Sequence, residues 1–343
     1  MMGKISRDFF EKNIINKIGK ERDEVVVKPE NGVDVGIIKI GNKYLAVTTD
    51  PLYIDRTFGF EKAAWFAFHI LLTDLYTSGI RADYMSIDLN LPLSISDDDF
   101  NKIWNVINEE SKKYNMEIVT GHTARYANTD YPMLGGVTLL GIGDDYITTR
   151  DAKVGDKIIM TKTCALEASC ILSYTFPDYI KSELGQETFN ALADLFYNMT
   201  CIREEELAID YGIKKRITSM HDSTEGGLLN SIYEIGVASN NGLSINRDDI
   251  IIDEPVKKVC KLFGIDPLRS ISEGTLIITV NEKYAQDFLK ILNENNIKSR
   301  IIGEIRDKSF GIKIFDNGVY RDIKPESDQF WGAISDGINK GLS

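Results

Sequence analysis

Nine residues, Met220-His221-Asp222-Ser223-Thr224-Glu225-Gly226-Gly227-Leu228, constrain this chain more than any other stretch. A β-type run from Arg216 to Met220 enters it, and Leu228, Leu229, Ile232 and Ile235 leave it at helical spacing as far as Ala238. Two glycines at such a junction let the backbone turn sharply and approach a ligand closely. The helix that follows points free N–H groups and its positive end at that place, which favours an anion such as phosphate. Asp222 and Glu225 in the same turn repel a bare anion, so a divalent cation is expected between them and it. The same residues also read as a plain capped helix start, with Asp222 or Thr224 as N-cap and Glu225 in the first turn.

A chain of 343 residues exceeds one typical core, so two domains are expected, 1–150 and 151–330, with a tail at 331–343. Apolar residues make up 43% of it, ample for folding. A net charge of −12 excludes a nucleic-acid surface and suits sites that hold cations. Cys164, Cys170, Cys201 and Cys260 form no Cys-x-x-Cys pair and no metal-knuckle spacing, so they read as buried, reduced thiols of a cytoplasmic protein. The charged stretch Met1 to Lys20 is no secretory leader. The most apolar stretch, Ala63 to Leu75, is too short for a membrane span and carries Asp74, so no membrane partner is expected.

The first half carries three aspartates in awkward places. Asp8 to Ile18 predicts an amphipathic helix, and a polar run from Lys20 to Glu30 leads to Asn31-Gly32-Val33-Asp34-Val35-Gly36. Ile37 to Ile40, a turn at Gly41-Asn42-Lys43, and Tyr44 to Asp50 then read as a β-hairpin. Centred on Asn42, the hairpin sets Asp34 opposite Asp50, and paired carboxylates there call for a Mg²⁺ ion carrying phosphate oxygens. A slip of one residue breaks that pairing and leaves two exposed strand-end residues. Glu61 to Ser78 predicts a buried helix ending at Gly79. A charge at Asp74 within it must be paired, protonated or metal-bound, unless backbone N–H groups hold it as a structural residue. His69 reads as a satisfied core or interface histidine.

Tyr84 to Leu91 alternates as a strand, Asp97 to Tyr114 is a helix started at Ser96 or Asp97, and Glu117 to Thr120 returns as a strand. Gly121-His122-Thr123 follows as a small-residue turn with a polar tip, then a strand from Leu134 to Ile142. The order β-β-α-β-α-β gives a compact α/β domain without the Gly-x-Gly-x-x-Gly of a dinucleotide fold. In the second half strands and helices alternate again, from Asp156 to a final strand pair joined by Asp316-Asn317-Gly318.

Taken together, these motifs resemble the superfamily of aminoimidazole ribonucleotide synthetase (PurM), which includes the hydrogenase maturation factor HypE, thiamine-monophosphate kinase and selenophosphate synthetase. Gly32-Val33-Asp34-Val35-Gly36 matches its Gly-Asp-Asp-Ala-Ala-type loop, and Thr49-Asp50 its Thr-Asp strand end. Thr73-Asp74-Leu75-Tyr76-Thr77-Ser78-Gly79-Ile80 matches its Asn-Asp-Leu-Ala-x-x-Gly-Ala motif, and Gly121-His122-Thr123 its Gly-Asp-Thr or Gly-His-Thr turn. His221 to Leu228 matches His-Asp-x-Thr-x-Gly-Gly, while Asp266-Pro267-Leu268 and Ser272-Glu273-Gly274 match HypE-like blocks. Gly3-Lys4 and Thr161-Lys162 with Glu167 recur in the archaeal HypE-related group, which this pattern is most similar to.

The resemblance implies two α/β (α+β) domains: an N-terminal domain forming a barrel in a homodimer, and a C-terminal α/β sandwich. It implies ATP and Mg²⁺ as cofactors, with Asp34, Asp50, Asp74 and Asp222 as metal carboxylates. Gly32, Asp34, Asp50, Asp74, Gly121, His122, Thr123, Glu225, Gly226 and Gly227 would bind the nucleotide. Asp74, His122 and Asp222 would stand closest to the chemistry, phosphoryl transfer to an amide, carbonyl or hydroxyl oxygen. A small-molecule kinase and a non-catalytic nucleotide-binding maturation partner are the other readings. The pattern departs from HypE in ending Gly341-Leu342-Ser343, with Cys260 as its last cysteine, so the terminal-cysteine chemistry is not carried over. His122 also stands where aspartate is usual, and the glycine-rich loop is reduced to Gly32 and Gly36.

Overall fold

The computed structural model describes Ile5, residues 7–15 and residues 17–343; Gly3 and Lys4 lie outside the described residues. The chain forms two compact units. The first comprises Arg22–Lys28 and Asp34–Tyr146; the second comprises residues up to Glu21, Pro29–Val33 and Ile147–Ser343. The short helix α1 (Arg7–Asn13) therefore belongs to the second unit.

The first unit is one sheet with two helices. Its elements are β1 (Val25–Val27), β2 (Gly36–Ile40), β3 (Lys43–Tyr53), α2 (Phe60–Tyr76), β4 (Tyr84–Pro92), α3 (Asp97–Lys113), β5 (Glu117–Tyr126) and β6 (Met133–Gly143). The strand order is β1-β2-β3-β6-β4-β5, antiparallel except for β4 and β5, which run parallel because α3 crosses between them. Ser96 caps α3 by accepting from Asp99 N–H at 3.1 Å. Met85, Ile87, Leu89 and Leu91 of β4 are buried with Ala64, Phe68, Leu71 and Leu72 of α2, so one sheet face is core. His69 is buried as expected, stacked on Trp65 and 3.1 Å from Glu110.

Two expectations for this unit fail on register. The hairpin pairs Ile40 with Lys43 across a two-residue turn, one residue away from the expected centre. Asp34 consequently lies before the ladder, where its carbonyl accepts from the Thr48 hydroxyl, and Asp50 pairs with Val137 of β6 instead. Gly121, His122 and Thr123 form no turn; they continue β5 along β4, with His122 beside Asp88. A sequence with glycine and small polar residues still makes a strand when a neighbour supplies the hydrogen bonds, because strand preference follows context. β1 falls in the run that reads as polar.

The second unit is a seven-stranded sheet between helical layers. In chain order its further elements are β7 (Lys157–Thr161), α4 (Leu166–Thr175), α5 (Pro177–Asp194, bent at Gly185), α6 (Ile202–Gly212), β8 (Ile217–Asp222), α7 (Gly227–Ala238), β9 (Gly242–Asn246) and α8 (Glu254–Phe263). β10 (Leu276–Val280), α9 (Glu282–Glu294), β11 (Ser299–Arg306), β12 (Ile312–Asp316), β13 (Val319–Asp322) and α10 (Phe330–Asn339) complete it. The order is β13-β12-β9-β11-β7-β10-β8. The inner strands are covered on both faces: Ile158, Met160 and Ile277 pack with α7, while Ile159 and Ile278 pack with α6 and α9. That is why β10 reads as the continuous apolar run Leu-Ile-Ile-Thr-Val.

The stretch 331–343, expected as a tail, is part of this core. Phe330 and Ala333 of α10 pack with Phe176, Leu172 and Val259, and Gly337 faces the Phe176 ring. The carbonyl of Ser343 accepts from Tyr179 N–H at 2.6 Å. Phe330 is 1% exposed, so Phe330→Ala removes a whole core ring. It is expected to cost about 3 to 5 kcal/mol in urea unfolding. A loss under about 1 kcal/mol would show that the helix is not part of the cooperative core.

Candidate functional site

In the second unit the site grows from the junction of β8 and α7. β8 runs fully buried beside β10 and delivers His221 and Asp222 at its end. The chain then turns through Ser223 to Glu225 into Gly226 (φ 85°), which precedes the helix, and Gly227 (φ 64°), its first residue. Both positions favour glycine by conformation. Gly227 is also fixed by space, since a Cβ there would lie 2.6 Å from Ser270 O and 2.8 Å from Ser270 N. The helix start carries no side-chain cap, so the capped reading with Asp222 or Thr224 does not hold.

Nor are the two glycine N–H groups open to phosphate in this state. Gly226 N–H donates to Asp328 Oδ2 at 2.5 Å, and Gly227 N–H to Thr224 O at 3.0 Å. An aspartate from 102 residues further along thus holds the seat expected for an external anion. Glu225 accepts from the indole N–H of Trp331 at 2.8 Å.

His221 is buried and sits 2.8 Å, Nε2 to Oε2, from Glu234 of α7. Gly32 backs this pair: a Cβ there would lie 2.9 Å from Glu234 Cβ, so the chain at Gly32 packs on the helix rather than standing clear. Asp222 is 1% exposed, and its charge helps to raise Glu273 and Glu167. Both Glu273 oxygens are buried without a hydrogen-bond partner among the described residues, and burial pushes its pKa far above the carboxylate range. Burial likewise raises Glu167 to about 8 although Glu273 N–H donates to it at 3.1 Å. Asp328 is raised to about 6, again chiefly by burial. Carboxyl groups gathered this way hold protons or draw a cation to themselves. Behind them lies one compensated pair. Burial works to strip Lys162 of its proton, but nearby negative charge, chiefly that of Glu204 at 2.5 Å with help from Cys201 and Glu273, raises its pKa overall.

In the first unit Asp50 lies on the face of β3 that carries buried Ala46, Thr48 and Leu52. Asp74 is the one residue of 71–80 that is not fully buried. The carboxylate oxygens of Asp34, Asp50 and Asp74 do not all come within 4.8 Å of one another, so they do not form one compact ion cage. Hard oxygen donors spaced more widely fit a metal that keeps water and phosphate ligands of its own. The pairings Asp50–Val137, Val137–Ile87 and Ile87–Gly121 put Gly121 and Thr123 on the same face as Asp50. His122 is turned to the opposite face, where its Nε2 meets Tyr126 OH at 2.8 Å. The structure does not bring His122 to the aspartates.

Sequence reasoning passed over Glu234, Asp328 and Trp331. Glu234 was within reach, because positions 226, 230 and 234 share one helix face. Asp328 and Trp331 carry no local signal; only the docking of α10 brings them to the junction.

Comparison with known proteins places both halves of the chain in one family. Residues 32–142 match the model of the AIR synthase related protein N-terminal domain, and residues 153–314 that of the C-terminal domain. The chain is 29% identical over 291 residues to a Methanocaldococcus jannaschii protein provisionally named for hydrogenase expression/formation, with 82% of each chain covered. It is 26% identical to thiamine-monophosphate kinase of Pyrococcus abyssi, over 91% of this chain and 93% of that one. Among solved structures, that of the hydrogenase maturation protein HypE in complex with ATP superposes with a TM-score of 0.65 at 18% identity, covering 95% of this chain and 96% of that one.

The raised carboxyls set the pH response of the second unit. Glu167 binds its proton more tightly folded, at about 8, than unfolded, near 4.5. Its contribution to stability is therefore full at low pH and is lost as the pH rises from about 4.5 to about 8. Urea midpoints should fall from pH 5 to pH 8, and Glu167→Gln should flatten that decline. An equal decline in the variant would mean that Glu167 ionises normally.

Proposed function

Because the chain belongs to the AIR synthase related family, through both of its domains, we propose that it is an ATP-dependent enzyme. It would activate an amide, carbonyl or hydroxyl oxygen of a small or protein-borne substrate by phosphoryl transfer. The observation that carries this reading is the gathering of buried carboxyl groups around the β8–α7 junction: Asp222 at the end of β8, Glu167 on α4 and Glu273 in the loop before β10. Relatives named as a thiamine-monophosphate kinase and as an ATP-bound maturation protein support the nucleotide.

The residues divide the work by position. Asp34, Asp50 and Asp74 of the first unit are proposed to hold Mg²⁺–ATP, and Asp222 of the second to serve metal or phosphate. Mg²⁺, when bound, would neutralise charge on the phosphates. The protein's own part is positioning, which for phosphoryl transfer is most of catalysis. Gly32 packs the loop before Asp34 against Glu234, and Gly121 and Thr123 share the Asp50 face of the sheet. Glu225 and the Gly226–Gly227 start would contact the nucleotide once Asp328 gives up its seat. His122, turned away, is left out of this arrangement.

We also propose that the first units pair in a homodimer. Its support is the outer sheet face, where Tyr84, Ile142 and Tyr53 are exposed, and the edge strand β5, exposed along most of its length. A kinase reading differs only in the fate of phosphate, which would stay on the product instead of being released.

Calorimetric titration with ATP, with and without Mg²⁺, tests the nucleotide site. Binding should require Mg²⁺ and weaken at least about tenfold in Asp34→Asn and Asp74→Asn. Absence of binding in every condition would defeat the ATP reading.

A further inference from the structure

A groove of about 760 Å³ lies in the second unit along the C-terminal end of α7, beginning about two helical turns beyond the glycine start. We propose that it binds an organic carboxylate with an apolar body, such as an aryl or branched-alkyl carboxylic acid. The proposal goes beyond the reading above and does not rest on it.

The walls define the apolar part of such a ligand. Tyr233 and Val237 of α7, Ile312 of β12, and Ile323 and Pro325 beyond β13 line the groove, and its surface is predominantly apolar. The shape is set by close packing. Gly236 makes room for Ile312, whose Cδ1 would lie 2.5 Å from a Cβ there. Ile323 N–H donates to Ile312 O at 2.9 Å, and Leu243 N–H to Gly311 O at 3.0 Å, which ties the walls to the sheet. The groove is therefore formed before any ligand arrives, as small-molecule sites usually are.

Charge defines the head group. Lys308 and Lys324 reach the groove from two separate segments, against one acidic wall residue, Asp322. Asp322 is already paired with Lys313, Oδ1 to Nζ at 3.9 Å. Among the described residues Lys324 meets no carboxylate, and Lys308 is held by a neutral group, Asn240 Oδ1, at 2.6 Å. Nor does the helix end need Lys308: the carbonyls of Ile235, Gly236 and Val237 already accept from the N–H groups of Ser239, Asn241 and Asn240. In a chain of net charge −12, two lysines without carboxylate partners beside an apolar groove depart from the prevailing sign. Their complement is an amphiphilic anion, whereas a cation of the same shape would meet two like charges.

The test uses the intact protein without nucleotide. Dansylglycine, a carboxylate whose emission rises in apolar surroundings, is titrated in beside dansylcadaverine, which carries the same fluorophore on an ammonium. Dansylglycine should give a saturable rise, and dansylcadaverine should bind at least about tenfold more weakly. Lys308→Gln and Lys324→Gln, both exposed positions, should each weaken dansylglycine about two- to fivefold. Val237→Glu, which sets a carboxylate on the groove wall, should abolish the rise. Circular dichroism confirms that each variant is folded, and the lysine variants carry the test alone if Val237→Glu is not. Equal binding of the two probes, no saturable signal, or dansylglycine binding unchanged in both lysine variants would each overturn the proposal. So would saturation that survives Val237→Glu in the folded protein.

Discussion

Backbone packs on backbone where α7 begins. At Gly227 the chain passes so close to residues 268 and 270 that even one methyl group would collide with main-chain atoms. That contact fixes the start of α7 against the loop before β10, and β10 in turn is the hydrogen-bonded neighbour of β8. His221 and Asp222, Glu273 and the helix start are therefore held in one frame. Flexibility at the two glycines is needed to make the turn, and close packing then removes it.

The frame is expensive electrostatically. Glu167, Asp222, Glu273 and Asp328 influence one another through protein rather than water, and burial is the leading cause of each resolved upward shift. A structural core has no use for such a set, since apolar residues of the same size would pack there without desolvating charge. Lys162 and Glu204 form a buried ion pair in the same unit, at 2.5 Å and with the lysine flanked by carbonyls of Thr200 and Gly274.

Local chemistry was legible where period and turn residues decide the outcome. The alternation of β4, the Ser96 cap of α3 and the Asn317-Gly318 hairpin all stand as read, because each depends on a few adjacent residues. The suspicion that fell on Asp74 came from a polar residue in an apolar helix, and that residue is indeed the least buried of its stretch. Register was not legible. A single residue separates the expected Asp34–Asp50 pairing from the observed ladder, and both hairpins satisfy the same turn composition. β11, placed between β9 and β7, was passed over because Arg300, Glu304 and Arg306 interrupt its apolar pattern.

By itself the sequence determined the class of fold, the two-part division of the chemistry and the glycine junction, since periodicity and glycine placement act over a few residues. Tertiary structure alone decided that the last helix belongs to the core and that Asp328 sits on Gly226 N–H. It also decided that Trp331 meets Glu225 and that His122 faces away from Asp50. Those outcomes depend on which distant surfaces bury each other and on strand register. The free energy that selects them comes from side chains a hundred residues apart, and no local pattern encodes it.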